Sequence, residues 1–431
     1  MSEPPAPAGP PSNDAGAPAP PRLLRNDNFR RLWVGTVTAA GGTAVGSIVL
    51  TWLIYSTTHS ALAVSLLGIV QFLPTLGFGL LAGALIDRLD RRRLMLTCDV
   101  GRCVCFGVLA LYVLLVGVNV AVLLGAVFAV ATFSTVFRPA TNAALPRILP
   151  RAQLTDGNGL LQGGSTIAQF VGSPVGGVLI LVVGAAAGLF VNALTFAVSG
   201  SMIFLMVIPA AALPPGHPAA PRRSLLGEVG DGLRFVRSQR ALLIITFTSM
   251  AANFFFSIWG AFSVIYAGEH LHQGAAGFSI LIASSTAGFA VGAILPGRLG
   301  FDRAPGLWLL PTWGISGLFV LGLAGVSTLG AAVGLTAVAG ALLSMGNTTW
   351  LSGVQRTIPD AFLGRYFATD EAGSFAMIPA GIAVGGLIVF EYGIVWAYVV
   401  AGLGAFAVNL PLFFSPTVRA WGRRPDPAAV G

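Results

Sequence analysis

The amino-acid sequence predicts an all-α membrane protein with twelve transmembrane helices in two pseudo-symmetric six-helix bundles. Three observations lead to this prediction: a very apolar composition, a series of long apolar runs, and arginines confined to one set of connections. Hydrophobic residues make up 55% of the 431 residues and charged residues only 9%, whereas a soluble domain typically carries about 25% charged residues. Most of the chain therefore needs a bilayer around it.

A helix that crosses a bilayer requires roughly 20 apolar residues, and twelve runs in this sequence meet that length. They are expected to be helical because a backbone exposed to lipid must satisfy its own hydrogen bonds. In the first half of the chain, the predicted helices cover residues 32–56, 62–86, 94–117, 120–141, 156–183 and 186–209. In the second half, they cover residues 241–267, 274–297, 305–325, 328–350, 367–389 and 393–415.

The segments around the two groups of runs differ in composition. Residues 1–22 are rich in Pro and Ala without an apolar core, which predicts a disordered tail and not a cleavable signal peptide. The central segment begins with prolines and becomes amphipathic from Leu225 to Val236, as is typical of a linker followed by a short interfacial helix. The predicted parts are a tail at 1–22, an N-terminal bundle at 23–209, a cytoplasmic linker with a short amphipathic helix at 210–240, a C-terminal bundle at 241–415 and a cytoplasmic tail at 416–431.

The basic residues set the expected topology. All 24 are arginines, and all lie in or beside the connections on the side shared by the two termini. Because arginine is retained in cytoplasmic loops, both termini are predicted to be cytoplasmic in a multi-pass protein of a bacterial inner membrane. The same distribution accounts for the net charge of +8 without a nucleic-acid partner, so the lipid bilayer is the expected environment.

The turn between predicted helices 2 and 3 concentrates arginine and is followed by a weak echo, Gly297 to Arg303, between predicted helices 8 and 9. This turn resembles the signature loop of the major facilitator superfamily of transporters, with matches at Gly83, Leu85, Asp87, Arg88, Arg91 and Arg92 and with Asp90 in place of the usual Gly. The resemblance implies the major facilitator fold. It also implies a conformational-switch motif formed by Gly83, Asp87, Arg88, Arg91 and Arg92.

Further matches extend over residues 23 to 415 and are similar to the branch of macrolide-efflux and enterobactin-exporter-like proteins. The matching segments are 24–33, 60–68, 71–74, 139–140, 144–146, 192–196 and 364–365. In predicted helix 5, the residues Gly172, Pro174, Gly176 and Gly177 resemble the core of the antiporter motif. They predict a kink that either serves export or only allows close helix packing.

Ionisable residues within membrane spans are costly and usually functional. We expect a charge network near the cytoplasmic helix ends, in which Asp87 pairs with Arg88, Arg102 or Arg138 and reaches Asp370 or Glu371 across the two halves. Local pairs that anchor topology are the alternative. Asp99 and Arg102 share a helix face because they are three residues apart. The branch's acids in helices 1 and 6 are absent, with Asn192 at the second position, so the coupling mechanism stays open, and Asp99, Asp370 and Glu371 are the candidates for proton coupling.

At the outer mouth of predicted helix 7, Glu269 lies beside His270 and His272. This group either senses external pH or belongs to a solvated loop. Polar and aromatic residues in the middle of the helices are the candidates for a substrate cavity that suits an amphiphilic compound. They are Thr51, Trp52, Tyr55, Gln71, Gln162, Thr166, Gln169, Asn253, Phe256, Trp259, Asn347, Thr348 and Trp350.

Nothing in the sequence indicates catalysis, a cofactor or a metal site. The chain lacks a phosphate-binding loop of the Gly-x-x-x-x-Gly-Lys type, and Cys98, Cys103 and Cys105 lack zinc-type spacing. The predicted function is that of a monomeric secondary transporter that exports a small amphiphilic compound, a drug or secreted metabolite, by alternating access and proton antiport. A siderophore exporter or an uptake carrier is the alternative within the same fold, and a transport-inactive membrane receptor or scaffold is the alternative from another class.

Overall fold

The computed structural model describes residues 23–88, 90–150, 153–207, 234, 236–358 and 360–423. The predicted tail at 1–22, the amphipathic segment from Leu225 to residue 233 and residues 424–431 lie outside this part of the chain. Within the described residues, the secondary structure is helical and forms twelve long helices. Ten of these contain stretches long and apolar enough to cross a membrane, and shorter apolar stretches lie at Ala61–Thr75 and Ala376–Tyr392 in the other two.

The helices are numbered in chain order. The first six are α1 (Asp27–Thr58), α2 (Ala61–Arg88), α3 (Arg91–Leu115), α4 (Val120–Ile148), α5 (Leu154–Val182) and α6 (Ala185–Leu205). The second six are α7 (Arg240–Ile265), α8 (Gly274–Leu299), α9 (Pro305–Leu323, in three parts), α10 (Leu329–Thr357), α11 (Asp360–Tyr392) and α12 (Ile394–Phe414). A short helix, α13 (Pro416–Ala420), follows.

Several helices extend beyond their predicted apolar cores. Helix α1 begins five residues early because the Asn26 side chain accepts hydrogen bonds from the backbone amides of Asn28 and Phe29, both at 3.1 Å, and so caps the helix. Helix α4 continues to Ile148, beyond the predicted end at residue 141 and through Pro146. Membrane helices tolerate proline because neighbouring groups satisfy the freed backbone carbonyls.

Two helices contain a π turn that the sequence analysis did not predict. In α9, the π turn Leu310–Gly314 lies between the α-helical parts Pro305–Leu309 and Ile315–Leu323, and Pro311 lies inside it. Proline removes a backbone donor, which favours such an irregularity. Helix α7 continues into a second π turn, Tyr266–His270.

The six helices of each half pack in the same pattern. Helix α1 packs against α5 and α6, and its counterpart α7 packs against α11 and α12. Helix α3 packs against α4 and α6 as α9 packs against α10 and α12, and the pair α2–α4 corresponds to α8–α10. This repetition is the pseudo-symmetry that the sequence predicted.

Small residues allow the closest helix contacts. In α5, a Cβ at Gly176 would lie 3.0 Å from the Cα of Val45 in α1. In the corresponding helix α11, a Cβ at Gly385 would lie 2.7 Å from the Phe262 ring of α7. Close approach of this kind is how membrane helices gain van der Waals contact in the absence of a hydrophobic drive.

The two halves meet along the pairs α2–α11 and α5–α8. We call the side of the bundle that carries Leu23 and Arg423 the terminal side, and the opposite side the far side. Near the far side, a Cβ at Gly177 would overlap the Ser279 side chain, and a Cβ at Gly386 would overlap the Ser65 side chain. The Ser65 hydroxyl also donates to the Ile382 carbonyl at 3.2 Å. We call these two equivalent glycine–serine contacts the far-side seams.

Candidate transport cavities and their charged residues

Three cavities lie among the described residues considered below, and the largest of these three lies in the N-terminal half between α1, α2, α3 and α4, with a volume of about 660 Å³. Its lining along α4 runs from Val127, in the far-side part of the helix, to Asn142, six residues from the terminal-side end. The cavity therefore extends towards the terminal side, away from the far-side seams.

The lining of this N-terminal cavity combines apolar and hydroxyl side chains with one cation. Gln71 lines it, and the hydroxyls of Thr75 and Thr135 lie 3.1 Å apart and hydrogen-bond across α2 and α4. Arg138 lines the cavity ten residues from the end of α4, which places it ~15 Å from that end at 1.5 Å per residue. The side chain that the sequence analysis assigned to a charge network thus faces a cavity.

A second cavity, of about 70 Å³, lies in the C-terminal half between α7, α9, α10 and α11. We call it the C-terminal cavity. Its lining is Ser249, Ala252, Asn253, Phe256, Trp313, Leu343, Asn347, Trp350 and Asp370. Asn253, Phe256, Asn347 and Trp350 were predicted cavity residues and lie together here. Asp370 lies ten residues into α11, ~15 Å from the terminal-side start of that helix.

Hydrogen bonds orient the polar groups of the C-terminal cavity. The Ser249 hydroxyl donates to Asp370 Oδ1 at 3.3 Å, and Trp313 Nε1 donates to Asn347 Oδ1 at 2.9 Å. Trp350 Nε1 donates to the Tyr366 hydroxyl at 3.3 Å. Each aromatic side chain is thereby held by its polar end, as buried Trp and Tyr generally are.

The charged pair Asp99–Arg102 lies inside the N-terminal half. The Arg102 guanidinium forms an ion pair with Asp99, and the Ser199 hydroxyl of α6 donates to Asp99 Oδ2 at 2.7 Å. The same guanidinium lies 4.1 Å from the ring centroid of Phe137 in α4 and 4.5 Å from that of Phe196 in α6. These contacts occupy Arg102 within its own half, so the structure does not bring it into the predicted network across the halves.

The opposite face of α3 is apolar and exposed. Val100, Val104 and Val108 are 52%, 55% and 62% exposed, and their four-residue spacing places them on one side of the helix. Asp99 and Arg102 are buried on the other side. The ion pair thus faces protein, which is the usual arrangement for charges within a membrane span.

Arginines near the starts of α3 and α1 anchor the end of α6. Arg92 Nε donates to the Ile203 carbonyl at 3.2 Å, and Arg92 Nη2 donates to the Phe204 carbonyl. Arg31 donates to the Leu205 carbonyl at 2.6 Å. Cations at the carbonyl end of a helix complement its dipole. These bonds lie within the N-terminal half.

Asp90, which departs from the family pattern, has a local explanation. Its side chain accepts a hydrogen bond from the Arg93 amide at 2.8 Å and caps α3. The side chains of Asp87, Arg88 and Glu371 and the surroundings of Gly83 lie outside the described set, so contacts of the predicted switch motif through these residues are not described.

At the far side, Tyr55 of the N-terminal half contacts a π turn of the C-terminal half, which is itself held by aromatic contacts. Tyr55 of α1 packs over Gly268, which lies in the π turn that also contains Glu269. The Tyr266 hydroxyl donates to the Leu323 carbonyl at 2.8 Å, and its ring stacks on His270 at 5.1 Å. Tyr55 therefore contributes to far-side closure and does not line a described cavity.

The remaining predicted residues divide as follows. Trp259 lines a third cavity of about 80 Å³ with Tyr266 and Tyr398. Described residues that were predicted for a cavity but line none of these three are Thr51, Trp52, Gln162, Thr166, Gln169 and Thr348. Gly172, Gly176 and Gly177 pack against α1 and α8, and Pro174 lies within the continuous helix α5.

Sequence reasoning missed several lining residues. They are Thr43, Ser47, Thr75, Ser134, Thr135, Asn142, Ser249 and Trp313. Most are small hydroxyl residues, which occur on every face of membrane helices. Thr43 and Ser47 are four residues apart, and this spacing was the one available sign that they share a face.

Comparisons with known proteins agree with this architecture. A family profile described as "Transmembrane secretion effector" matches residues 16–424. The chain is 25% identical to the MFS-type transporter YfiS of Bacillus subtilis, over 84% of this chain and 86% of that protein. It is 23% identical to macrolide efflux protein A of Streptococcus pyogenes, over 87% of this chain and 92% of that protein. The fold resembles the crystal structure of the nucleoside transporter NupG, with a TM-score of 0.64 and 14% identity over 90% of this chain and 99% of that one.

Proposed function

The chain belongs to the transmembrane secretion effector family of the major facilitator superfamily, and we propose that it exports a small amphiphilic compound across a bacterial inner membrane. The relative named macrolide efflux protein A supports the export direction. The observation that carries the proposal is the position of the N-terminal cavity. It extends towards the terminal side, while the described contacts Gly177–Ser279 and Gly386–Ser65 close the far side.

Alternating access is the mechanism that we propose. Taking the terminal side as cytoplasmic, from the arginine distribution, a cavity that extends towards this side is what we would expect of a state that loads substrate from the cytoplasm. The far-side seams would then separate and the terminal side would close, which exposes the substrate to the outside. One chain supplies both halves, so a monomer suffices.

The N-terminal cavity suits an amphiphilic substrate. Phe72, Phe106 and Val130 provide apolar surface, while Gln71 and paired threonine hydroxyls provide a few polar groups. Ligand sites of this kind bind mainly through apolar burial and use few polar groups for orientation. A volume of about 660 Å³ lies within the ~300–1,000 Å³ typical of small-molecule sites.

Proton antiport completes the proposal, and Asp370 is the proposed carrier. Asp99 is fully buried by Arg102 and Ser199 and lines none of the three cavities. Asp370 lines the C-terminal cavity, so of the two candidates with described side chains it is the one that a cavity exposes. Glu371, the third candidate, follows directly in α11.

The test is accumulation of fluorescent and antibiotic compounds in efflux-deficient bacteria that express the protein, with and without a protonophore. We expect lower accumulation of at least one amphiphilic compound, and we expect the protonophore to abolish the difference. Asp370→Asn should abolish the protonophore-sensitive part, whereas Glu391→Gln, at the exposed far end of the same helix, should retain it.

Two results would contradict the proposal at different points. Unchanged accumulation across the panel, with the protein present in the membrane, would refute export of amphiphilic compounds. Lower accumulation that the protonophore leaves intact would preserve export and refute proton coupling.

A further inference from the structure

We propose that the chain carries a binding site for an anionic phospholipid, built where residues 416–423 dock on the start of α9. We call these residues the C-terminal segment. The site consists of Arg303, Arg419 and Arg423, with apolar side chains of the membrane-facing surface beside them. These arginines line none of the three cavities, and the site does not depend on the proposed export function.

Backbone contacts hold the C-terminal segment against α9. The Gly306 amide donates to the Trp421 carbonyl at 3.4 Å, and a Cβ at Gly306 would overlap the Val418 carbonyl. One residue further along the segment, a Cβ at Gly422 would lie 2.5 Å from Pro305 Cγ. Residue 306 must therefore be glycine for the two segments to touch, because any side chain there would push the C-terminal segment away.

Two buried side chains fix the orientation of the C-terminal segment. Val418 is fully buried and Trp421 is 7% exposed. The Trp421 ring lies over Gly353 of α10, where a Cβ would overlap the ring. Arg419 and Arg423, in contrast, are exposed. The apolar residues thus attach the segment to the bundle and leave its arginines on the surface.

The three arginines come from two segments and converge at this contact. Arg303 lies two residues before the proline that Gly422 approaches, whereas Arg419 and Arg423 each lie one residue from a backbone contact described above. Successive Cα atoms are 3.8 Å apart, so each arginine lies within ~8 Å of a contact between the two segments. All three are exposed, and both ion pairs among the described residues lie in the N-terminal half. The contact thus gathers three exposed positive charges that no described ion pair neutralises.

Exposed apolar side chains flank the arginines. Leu299, four residues before the first arginine, is 57% exposed, and Phe414, five residues before the second, is 69% exposed. Trp308 is 37% exposed, and its ring stacks on that of Phe301 at 3.9 Å. Tryptophan is enriched where a membrane helix meets the head-group region. These residues therefore place the arginines at the level of the lipid head groups on the terminal side.

The chemistry of the site selects a phosphate group that carries acyl chains. Guanidinium groups bind phosphate through paired, charged hydrogen bonds, and each basic residue near an anionic membrane surface contributes about fivefold in affinity. The exposed apolar side chains contact the acyl chains of the same molecule, which a nucleic acid or a soluble phosphate ester lacks. Phosphatidylglycerol meets both requirements, whereas zwitterionic phosphatidylcholine carries a cation that the arginines repel.

The test uses the full-length protein in detergent micelles that are titrated with dioleoyl phosphatidylglycerol or dioleoyl phosphatidylcholine. Native mass spectrometry measures the dissociation constant of the first bound lipid. We expect phosphatidylglycerol to bind at least about tenfold more tightly than phosphatidylcholine. The triple variant Arg303→Gln, Arg419→Gln, Arg423→Gln should lose this preference, and thermal unfolding in phosphatidylcholine micelles checks that it is folded.

Two matched controls separate a built site from general positive charge. The triple variant Arg25→Gln, Arg93→Gln, Arg147→Gln removes three exposed arginines from the terminal side of the N-terminal half and should keep the preference. Gly306→Val retains every arginine but forces the C-terminal segment away from α9, so it should weaken phosphatidylglycerol binding several-fold. Gly297→Val, whose Cβ would meet no atom within 4 Å, should bind this lipid as the wild type does.

Equal affinity of the wild-type protein for both lipids would overturn the proposal. Equal losses in the two triple variants would also overturn it, since general charge would then explain the binding, and so would full phosphatidylglycerol affinity in Gly306→Val. Glycerophosphoglycerol, the head group without acyl chains, is added as a competitor. Displacement of the lipid by an equal concentration of this compound would indicate a site for soluble phosphate esters and refute the lipid site. Because the assay involves no transport, each result is independent of whether the protein exports a substrate.

Discussion

Replacing Asp99 by alanine tests whether the buried ion pair of α3 stabilises the N-terminal half. The substitution leaves the Arg102 guanidinium buried between Phe137 and Phe196 without its counter-ion. It also leaves the Ser199 hydroxyl without its acceptor. Removing one partner of a buried pair costs about 3–5 kcal/mol, because the remaining charge is uncompensated.

The chain contains a matched control for this change. Asp27 and Arg30 form an ion pair at 2.8 Å with the same three-residue spacing, but their side chains are 64% and 52% exposed. Exposed pairs contribute about 0.2–1 kcal/mol, so Asp27→Ala should have a small effect. The double variant Asp99→Leu, Arg102→Met should recover much of the lost stability, since apolar residues can replace a buried pair at little cost.

Native cysteines provide the assay. Cys98 is buried in α3 beside Asp99, whereas Cys103 and Cys105 of the same helix are half-buried. With these two replaced by serine, modification of Cys98 by a thiol-reactive coumarin dye reports opening of this helix. The free energy of unfolding is obtained from labelling during titration of detergent micelles with sodium dodecyl sulfate. If Asp99→Ala and Asp27→Ala shift the unfolding transition equally, the Asp99–Arg102 ion pair does not stabilise the N-terminal half and the prediction is wrong.

Two further predictions concern glycines that lie at helix crossings. Gly177→Val should wedge the α5–α8 seam open. If both far-side seams separate together, as the proposed alternating access requires, a cysteine at Ser65 should then react several-fold faster with a membrane-impermeant maleimide in a background without native cysteines. Gly163→Val in the same helix is the control, because a Cβ at Gly163 would meet no atom within 4 Å. Equal labelling in the two variants would contradict coupled opening of the seams. Gly402→Val should destabilise the C-terminal half by about 1–3 kcal/mol, because its Cβ would overlap the Leu321 backbone where α9 and α12 cross. Thermal unfolding measures this effect against Gly334→Val, which has open space at its Cβ, and an unchanged melting temperature would contradict it.

The twelve helices could be predicted because each apolar run satisfies a length requirement independently of the others. The far-side seams could not be predicted in this way. Gly177 and Ser279 are ordinary small residues in two separate runs, and only tertiary packing brings them together. The helix ends were missed for a related reason, since capping by Asn26 and continuation through Pro146 depend on polar or proline residues outside the apolar runs.

The position of the Asp99–Arg102 pair illustrates an intermediate case. Their spacing predicted a shared helix face, and the sequence analysis named Arg102 as one possible partner of Asp87 in a network across the two halves. The valines at 100, 104 and 108 form an uninterrupted apolar stripe at helical spacing. This stripe indicates that the face of α3 opposite the ion pair is the one that contacts lipid. Which protein helices then cover the pair, here α4 and α6, depends on the fold and not on local sequence.

The two halves repeat their packing but differ in the charges of their cavities, and this difference explains why the internal repeat is faint in the sequence. Packing depends on small residues at crossings, such as Gly176 of α5 and Gly385 of α11, and glycines are too common here to reveal a repeat. The cavities carry Arg138 in one half and Asp370 in the other. Under the proposed function, rocking of two similar bundles requires their packing to match, whereas binding of an asymmetric amphiphile requires their linings to differ. Selection for function therefore makes the two halves differ in their cavity side chains, which are the residues that would reveal an internal repeat most easily in a sequence comparison.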